Sequence, residues 1–319
     1  MKSKSLFSES ELKTAKDIFQ LVSKLKFHSY RVSLLATGRE ICRDNTSDEY
    51  LNKALALTIE THPERTYCKT FNVKEDLNII ETWLKEIKKL ERLPIFSLEK
   101  VQVEAIVFSP SSFGFILHEL LGHRLESDDY SQPLEIGSEK CANYIAEDTI
   151  GAEGFWAYTP FDDFGIRGEN VCLLDGRTGS HQFLGSSTGN LRASAHQFHA
   201  IPRQRCTEVT VLENLPPPAH SAFIEIKDIF EAELNGDSAI LISASQFLQE
   251  KNGKRYILPR LKIKLNSNAL FELKAFGERQ RHSPAGGCHK GLQRGLPISF
   301  FCPSAWIESN SSHISIETH

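Results

Sequence analysis

No window of the sequence holds ~18 consecutive apolar residues, the length a membrane helix needs. The first residues, MKSKSLFSES, are basic at the start but have no apolar run behind them, so no secretory signal is expected. No CxxC pair occurs among the seven cysteines, an odd and widely scattered set at 42, 68, 141, 172, 206, 288 and 302. That distribution argues against a disulfide framework and fits reduced thiols in the cytoplasm. Basic excess is also missing: 37 Lys and Arg against 41 Asp and Glu leave a net charge of −4. A protein that grips a phosphate backbone is usually basic, so neither nucleic acid nor a membrane is an expected partner. Repeats and low-complexity tracts are absent too.

What is present is an ordinary globular composition, 40% hydrophobic and 24% charged over 319 residues. At ~150 residues per domain this length fits about two domains or one large one. Ser8-x-x-Glu11 is a capping box that opens a helical pattern of Leu12, Ala15, Phe19, Val22 and Leu25. Residues 30–37 and 64–73 read as strands. A second helix is expected from Glu75 to Leu93, with Leu77, Ile80, Trp83, Leu84, Ile87 and Leu90 on one face and Pro94 ending it. A strand at 101–108 leads through a Ser-Pro-Ser-Ser turn into an apolar helix at 113–124, and another helix is expected near 138–147. Beyond residue 160, short β-rich runs alternate with Gly, Asn, Asp and Pro, at 170–174, 207–212, 221–226, 239–242, 256–265, 269–276 and 297–301. The expected fold class is α+β. An α/β portion over 1–160 carries the 113–124 helix, and a mostly antiparallel β domain follows over 161–319.

The chemistry concentrates at 116–126, ILHELLGHRLE. His118, Glu119 and His123 form H-E-x-x-x-H, a pattern expected by composition alone with a chance of roughly 0.03 in such a chain. Two imidazoles suit Zn²⁺, and a Glu beside the first suits a general base acting on water at the metal. The spacing is unusual. An i,i+4 pair stands ~40° apart around a helix, whereas i,i+5 stands ~140° apart on ideal α geometry. The two His can share a metal only if the turn widens to a π turn, a distortion that gathers at functional sites and that Gly122 would ease. Two His also leave a tetrahedral zinc short of a ligand. Glu126 and Asp128 lie nearby, and the segment 282–293, HSPAGGCHKGLQ, offers Cys288, His282 and His289.

The stretch HELLGHRLESD resembles the H-E-x-x-G-H-x-L-E-x-D motif of the TldD/PmbA metallopeptidases. Three further stretches agree in order. Pro160–Gly165 resembles that family's D-D-x-G turn, ahead of a strand ending in Asp175-Gly176. Ser187-Thr188-Gly189-Asn190-Leu191-Arg192, ten residues before Pro202-Arg203, resembles its T-G-N-x-R … P-R stretch. Cys288-His289-Lys290-Gly291-Leu292-Gln293 resembles its C-terminal C-x-K-x-x-Q. Departures are Arg124 where the family has Gly, Gln204-Arg205-Cys206 where it has M-T-N, and a shorter stretch before His118.

The resemblance implies a zinc-dependent peptidase. His118, His123 and Cys288 would be the ligands, the last supplied by the β-rich domain, and Glu119 the base. It implies a homodimer, or a heterodimer with a paralogue, and small or unfolded peptide substrates such as the leaders of ribosomally made, modified peptides. Arg192 and Arg203 are candidates for binding the peptide. The alternative is an inactive binding or scaffold subunit of a hetero-oligomeric peptidase.

Overall fold

The computed structural model of the chain describes residues 6–43, 46–61, 65–75, 77–96, 102–126, 142–153, 155–161, 167–180, 206, 208–212, 215–217, 219–284, 286–290 and 293–319. The capping box at Ser8 starts helix α1 (Glu9–Lys24): Ser8 Oγ accepts the Glu11 N–H at 3.3 Å and the Glu11 carboxylate accepts the Ser8 N–H at 2.7 Å. Three antiparallel strands follow in the order β1 (Ser29–Arg43), β2 (Thr46–Thr61), β3 (Arg65–Asn72). Helix α2 (Leu77–Leu90) buries Ile80, Leu84, Ile87 and Leu90 of the stripe expected of it, with Trp83 partly buried and Leu77 exposed.

The period-two alternation of β2 decides what each face of this small sheet does. Leu55, Leu57 and Ile59 join Ile18, Val22 and the α2 stripe in one core. Ala56 and Thr58 point the other way, in register with Ser33 and Arg31 of β1, and Thr58 also with Cys68 of β3. One face therefore holds the two helices and the opposite face is left to line a cleft.

The second layer begins at β4 (Ala105–Phe108), which runs into α3 (Pro110–Leu117). Its later strands are β5 (Ile145–Asp148), β6 (Val171–Asp175), β7 (Glu208–Val211), β8 (Phe223–Asn235), β9 (Ser238–Gln249), β10 (Arg255–Ile257), β11 (Leu261–Asn266), β12 (Lys274–His282), β15 (Ser299–Glu308) and β16 (Ile314–Thr318). The strand order is β16-β11-β9-β8-β4-β15-β7-β5-β6, with β10 beside β9 and β12 beside β15. Most pairs are antiparallel; β4–β8 and β15–β7 are parallel. A separate hairpin joins β13 (Cys288–Lys290) to β14 (Gln293–Leu296). The α+β class holds. The motif helix lies in the core of this large sheet: Phe113, Ile116 and Leu117 are fully buried with Phe108 and Phe300.

Three expectations are corrected. Residues 145–147, placed in a helix near 138–147, are strand β5, which hydrogen-bonds between β6 and β7; residues 138–141 lie outside the described set. Residues 269–272 form a short helix, α5 (Ala269–Glu272), ahead of β12. Strand β2, given no element, is a sixteen-residue strand. Its Ala- and Leu-rich middle has no β signature of its own, and tertiary pairing on both edges imposes the strand.

Asp228 sits on β8 and accepts a hydrogen bond from Ser245 Oγ at 3.0 Å. Burial pushes its carboxyl up to about 6, against the opposing pull of Ser245, Lys227 and Lys69. The folded chain thus binds this proton more tightly than the unfolded chain. The associated stability is present at low pH and is lost as pH rises from ~4 to about 6. Asp228→Asn is expected to flatten the pH dependence of the urea midpoint across that window, without changing the slope of the unfolding curve.

Candidate metal centre

Helix α3 does not continue as a plain α-helix. His118–Gly122 form a single π turn, and α4 (His123–Leu125) follows. The His123 N–H donates to the His118 carbonyl five residues back, which is the widening that the H-E-x-x-x-H spacing demands. The two imidazoles meet with ring centroids 4.6 Å apart. Gly122 has a different role from the one expected. Its φ of −57° is ordinary right-handed helix, so the turn does not need glycine's freedom. A Cβ there would stand 2.9 Å from Cys206 Sγ, so the absent side chain makes room for that thiol.

Cys288 arrives from the other end of the chain. Gly287 holds φ +64°, and a Cβ on it would come within 2.5 Å of the Leu296 carbonyl oxygen. Only glycine fits this tight turn into β13. Cys288 Sγ lies 3.2 Å from His123 Nε2 across 165 residues of sequence. One donor atom from each of His118, His123 and Cys288 falls within 4.8 Å of the others, a grouping found nowhere else among the described residues. In a tetrahedral zinc site, N···N and S···N separations are about 3.3–3.6 Å, so small side-chain rotations bring this trio to ligating distance. All three are buried, at 1%, 7% and 6% exposure. Two imidazoles and a thiol form a mixed N/S donor set that suits zinc.

Glu119 is buried beside the trio, with Oε2 3.9 Å from His123 Nε2. The charge pattern asks for a cation. Burial acts to lower the His123 pKa, but the fields of Glu126, Cys288 and Glu119 and the hydrogen bond to Cys288 outweigh it, so the metal-free imidazole holds its proton well above the usual histidine range.

The reserve donors do not join the group. His282, on β12, stacks on Phe300 (6.3 Å, 15°), and burial pushes its pKa down to about 3. His289 is exposed and its Nε2 lies 3.1 Å from the Gly286 carbonyl oxygen. Arg192, Arg203, Asp128 and the stretches 187–192 and 202–203 lie outside the described residues.

Glu126 has a role other than that of the ligand candidate. It is not in the donor group. Its Oε2 accepts from His123 Nδ1 at 3.1 Å, and its Oε1 accepts the Cys206 N–H at 2.9 Å. Holding Nδ1 protonated makes Nε2, which faces Cys288, the nitrogen that would give up its proton to a metal, the carboxylate–histidine pairing that orients metal ligands. The signal was the i,i+3 spacing from His123 on the same helical end. Glu126→Gln keeps the shape but removes the charge. It is expected to weaken metal binding about 10–100-fold in a chelator competition, with the fold retained.

The trio and Glu119 open on a cleft of about 840 Å³. One wall is the free face of the small sheet, with Arg31, Ser33 and Thr58. Another wall is β8 from Ile229 to Leu234. This volume is within the range of sites for small ligands or a few peptide residues.

No protein-family model matches the sequence, and no curated protein matches it. Solved structures do match. TldE from Thermococcus kodakarensis superposes with a TM-score of 0.71 at 11% identity, over 96% of this chain and 74% of that one. A putative modulator of a DNA gyrase from Thermotoga maritima gives 0.67 at 11% identity, over 99% and 77%. A putative modulator of DNA gyrase from Bacteroides thetaiotaomicron gives 0.59 at 13% identity, over 98% and 72%. The chain has the TldD/PmbA fold. At these identities the likeness is one of fold, and it covers nearly all of the chain. Within the TldD/PmbA fold, the segment 118–126 and Cys288 meet at the junction of the large sheet and the cleft. No helix among the described residues is long and apolar enough to cross a membrane.

Proposed function

We infer that the chain is a zinc-dependent peptidase that hydrolyses peptide bonds in small or unfolded peptides. The observation that carries this reading is the convergence of His118, His123 and Cys288 with Glu119 beside them, on the wall of a cleft. A structural metal site would have no use for Glu119.

Zinc, when bound by these three ligands, supplies Lewis acidity that makes water acidic near neutral pH and polarises a peptide carbonyl. The remaining work belongs to side chains. Glu126 fixes the His123 tautomer and ring plane. Phe300, fully buried and with its ring centroid 6.1 Å from that of His118, backs the first imidazole. Glu119 takes a proton from the attacking water and later returns it to the leaving amine, the usual work of a positioned carboxylate. The buried setting strengthens each of these electrostatic effects.

The cleft suits an extended chain. Strand β8 pairs with β4 only as far as Ile226, so from Ile229 onward its second edge has no strand partner among the described residues. A peptide laid along that edge would be held by its backbone, which gives loose sequence demands and a strict demand for an unfolded substrate. Leader-peptide removal from a ribosomally made precursor is one such task. Assembly as a homodimer, or as a heterodimer with a paralogue of the same fold, belongs to the same reading, as does a cytoplasmic setting that keeps the thiols reduced.

The test is a metal-replete preparation incubated with a mixture of unstructured peptides and read by mass spectrometry, with and without a chelator. New fragments that disappear on chelation support the reading. Metal without cleavage, alone and with a co-expressed paralogue, would instead assign the chain to the inactive-subunit alternative.

A further inference from the structure

We propose that the cleft selects basic peptides, through Glu231 and Glu233 on the open edge of β8. The inference rests on the reading of the cleft as a peptide site and names the side chains that site prefers.

Side chains on β8 alternate. Beyond the bulge at Phe230, Ala232 and Leu234 fall on one face and pack, with Ile229, on the large core. Glu231 and Glu233 fall on the other, exposed and about 6.8 Å apart along the strand. The register shows what lies beside each carboxylate within the sheet. Glu231 pairs with Ile242, which pairs with Lys262; Glu233 pairs with Ile240, which pairs with Lys264. Each lysine is two strands away with an isoleucine between, so each carboxylate has an apolar neighbour on the β9 side. On the other side is the open edge. Neither carboxylate has an ion pair or hydrogen bond among the described residues. The next strand to lie there would bring its own side chains directly opposite them.

The charge of the cleft away from the metal centre points the same way. Its described charged residues there are two carboxylates, Glu231 and Glu233, against one guanidinium, Arg31 on the small sheet. Low-dielectric walls focus such a field. A peptide paired with β8 therefore gains most from Lys or Arg at two alternate positions facing Glu231 and Glu233. The residue between them turns to the face of Ala232 and Leu234. Cross-strand opposite-charge pairs are individually modest, so two of them give roughly a 3- to 10-fold preference.

The experiment uses the full-length, zinc-loaded Glu119→Gln protein, so that binding is measured without turnover. Two labelled peptides share an extended sequence and differ only at two alternate positions, Lys-x-Lys in one and Glu-x-Glu in the other. Fluorescence anisotropy at low salt should show the Lys peptide binding about 3- to 10-fold more tightly. The charge-reversed variant, with Glu231→Lys and Glu233→Lys added, should reverse the order. Equal affinities, or an order that survives the reversal, overturn the inference and leave the peptidase reading standing. Binding of neither peptide overturns both.

Discussion

Replacing Glu119 with Gln is expected to cut peptide hydrolysis by ~10²–10⁴-fold while leaving zinc content and fold intact. The amide matches the carboxylate in size and reach but cannot accept the proton of the attacking water. Because Glu119 is buried at 7% exposure beside His123, no solvent carboxylate can substitute for it. The loss should fall on kcat, with peptide affinity nearly unchanged, since the group acts on the transition state rather than on the bound substrate. Retained turnover in the Gln variant would remove Glu119 from the mechanism. Loss of zinc from it would make Glu119 a ligand, and the geometry of the π turn would then need a different explanation.

The second large effect concerns the ligands. Purified protein should carry close to one zinc per chain, and X-ray absorption should show a mixed N/S shell with a single sulfur. His123→Ala and Cys288→Ala should each abolish stoichiometric zinc, because each removes one of three donors held within 4.8 Å. Chelation should lower the unfolding free energy by roughly 3 kcal/mol if zinc is present at about 100 times its dissociation constant, and the loss should reverse on adding zinc back. Cys288→Ser separates ligation from packing. It preserves volume but exchanges a soft thiolate for a neutral hydroxyl, so metal should be lost while the metal-free protein unfolds as before. A sulfur-free shell in the parent would exclude Cys288.

Much of the site was legible because its constraints are local. The i,i+5 spacing of His118 and His123 cannot work on an α-helix, and the π turn follows from that arithmetic alone. The capping box at Ser8 and the stripe of α2 are equally local. What could not be read lies across the chain. Nothing in the periodicity of β13 brings Cys288 to His123; that pairing came from a resemblance of motifs, and the structure places the two atoms 3.2 Å apart. Glu126 was legible as a nearby carboxylate but not as the partner of His123 Nδ1, because its second contact, the backbone of Cys206, is 80 residues away. Gly122 reads as a source of flexibility because flexibility is visible in a sequence, whereas the approach of a distant thiol is not. Strand β2 is not legible because its Ala-Leu alternation resembles a helix as much as a strand, and the full length of β8 is not because its register with β9 shifts at Asp228 and Ile229. The split of small-sheet faces, one for helices and one for the cleft, becomes visible only once the three strands are paired.

The π turn also bears on how such a site is inherited. A helix with one widened turn contains one residue more than its path through the core requires. Deleting a residue between Glu119 and His123 would return the helix to α geometry and place the imidazoles four apart, again on one side. The familiar four-residue spacing and the five-residue spacing seen here are thus two spellings of one arrangement, separated by a single codon. A lineage can cross between them without relocating a ligand, and a search keyed to either spelling overlooks the chains written in the other.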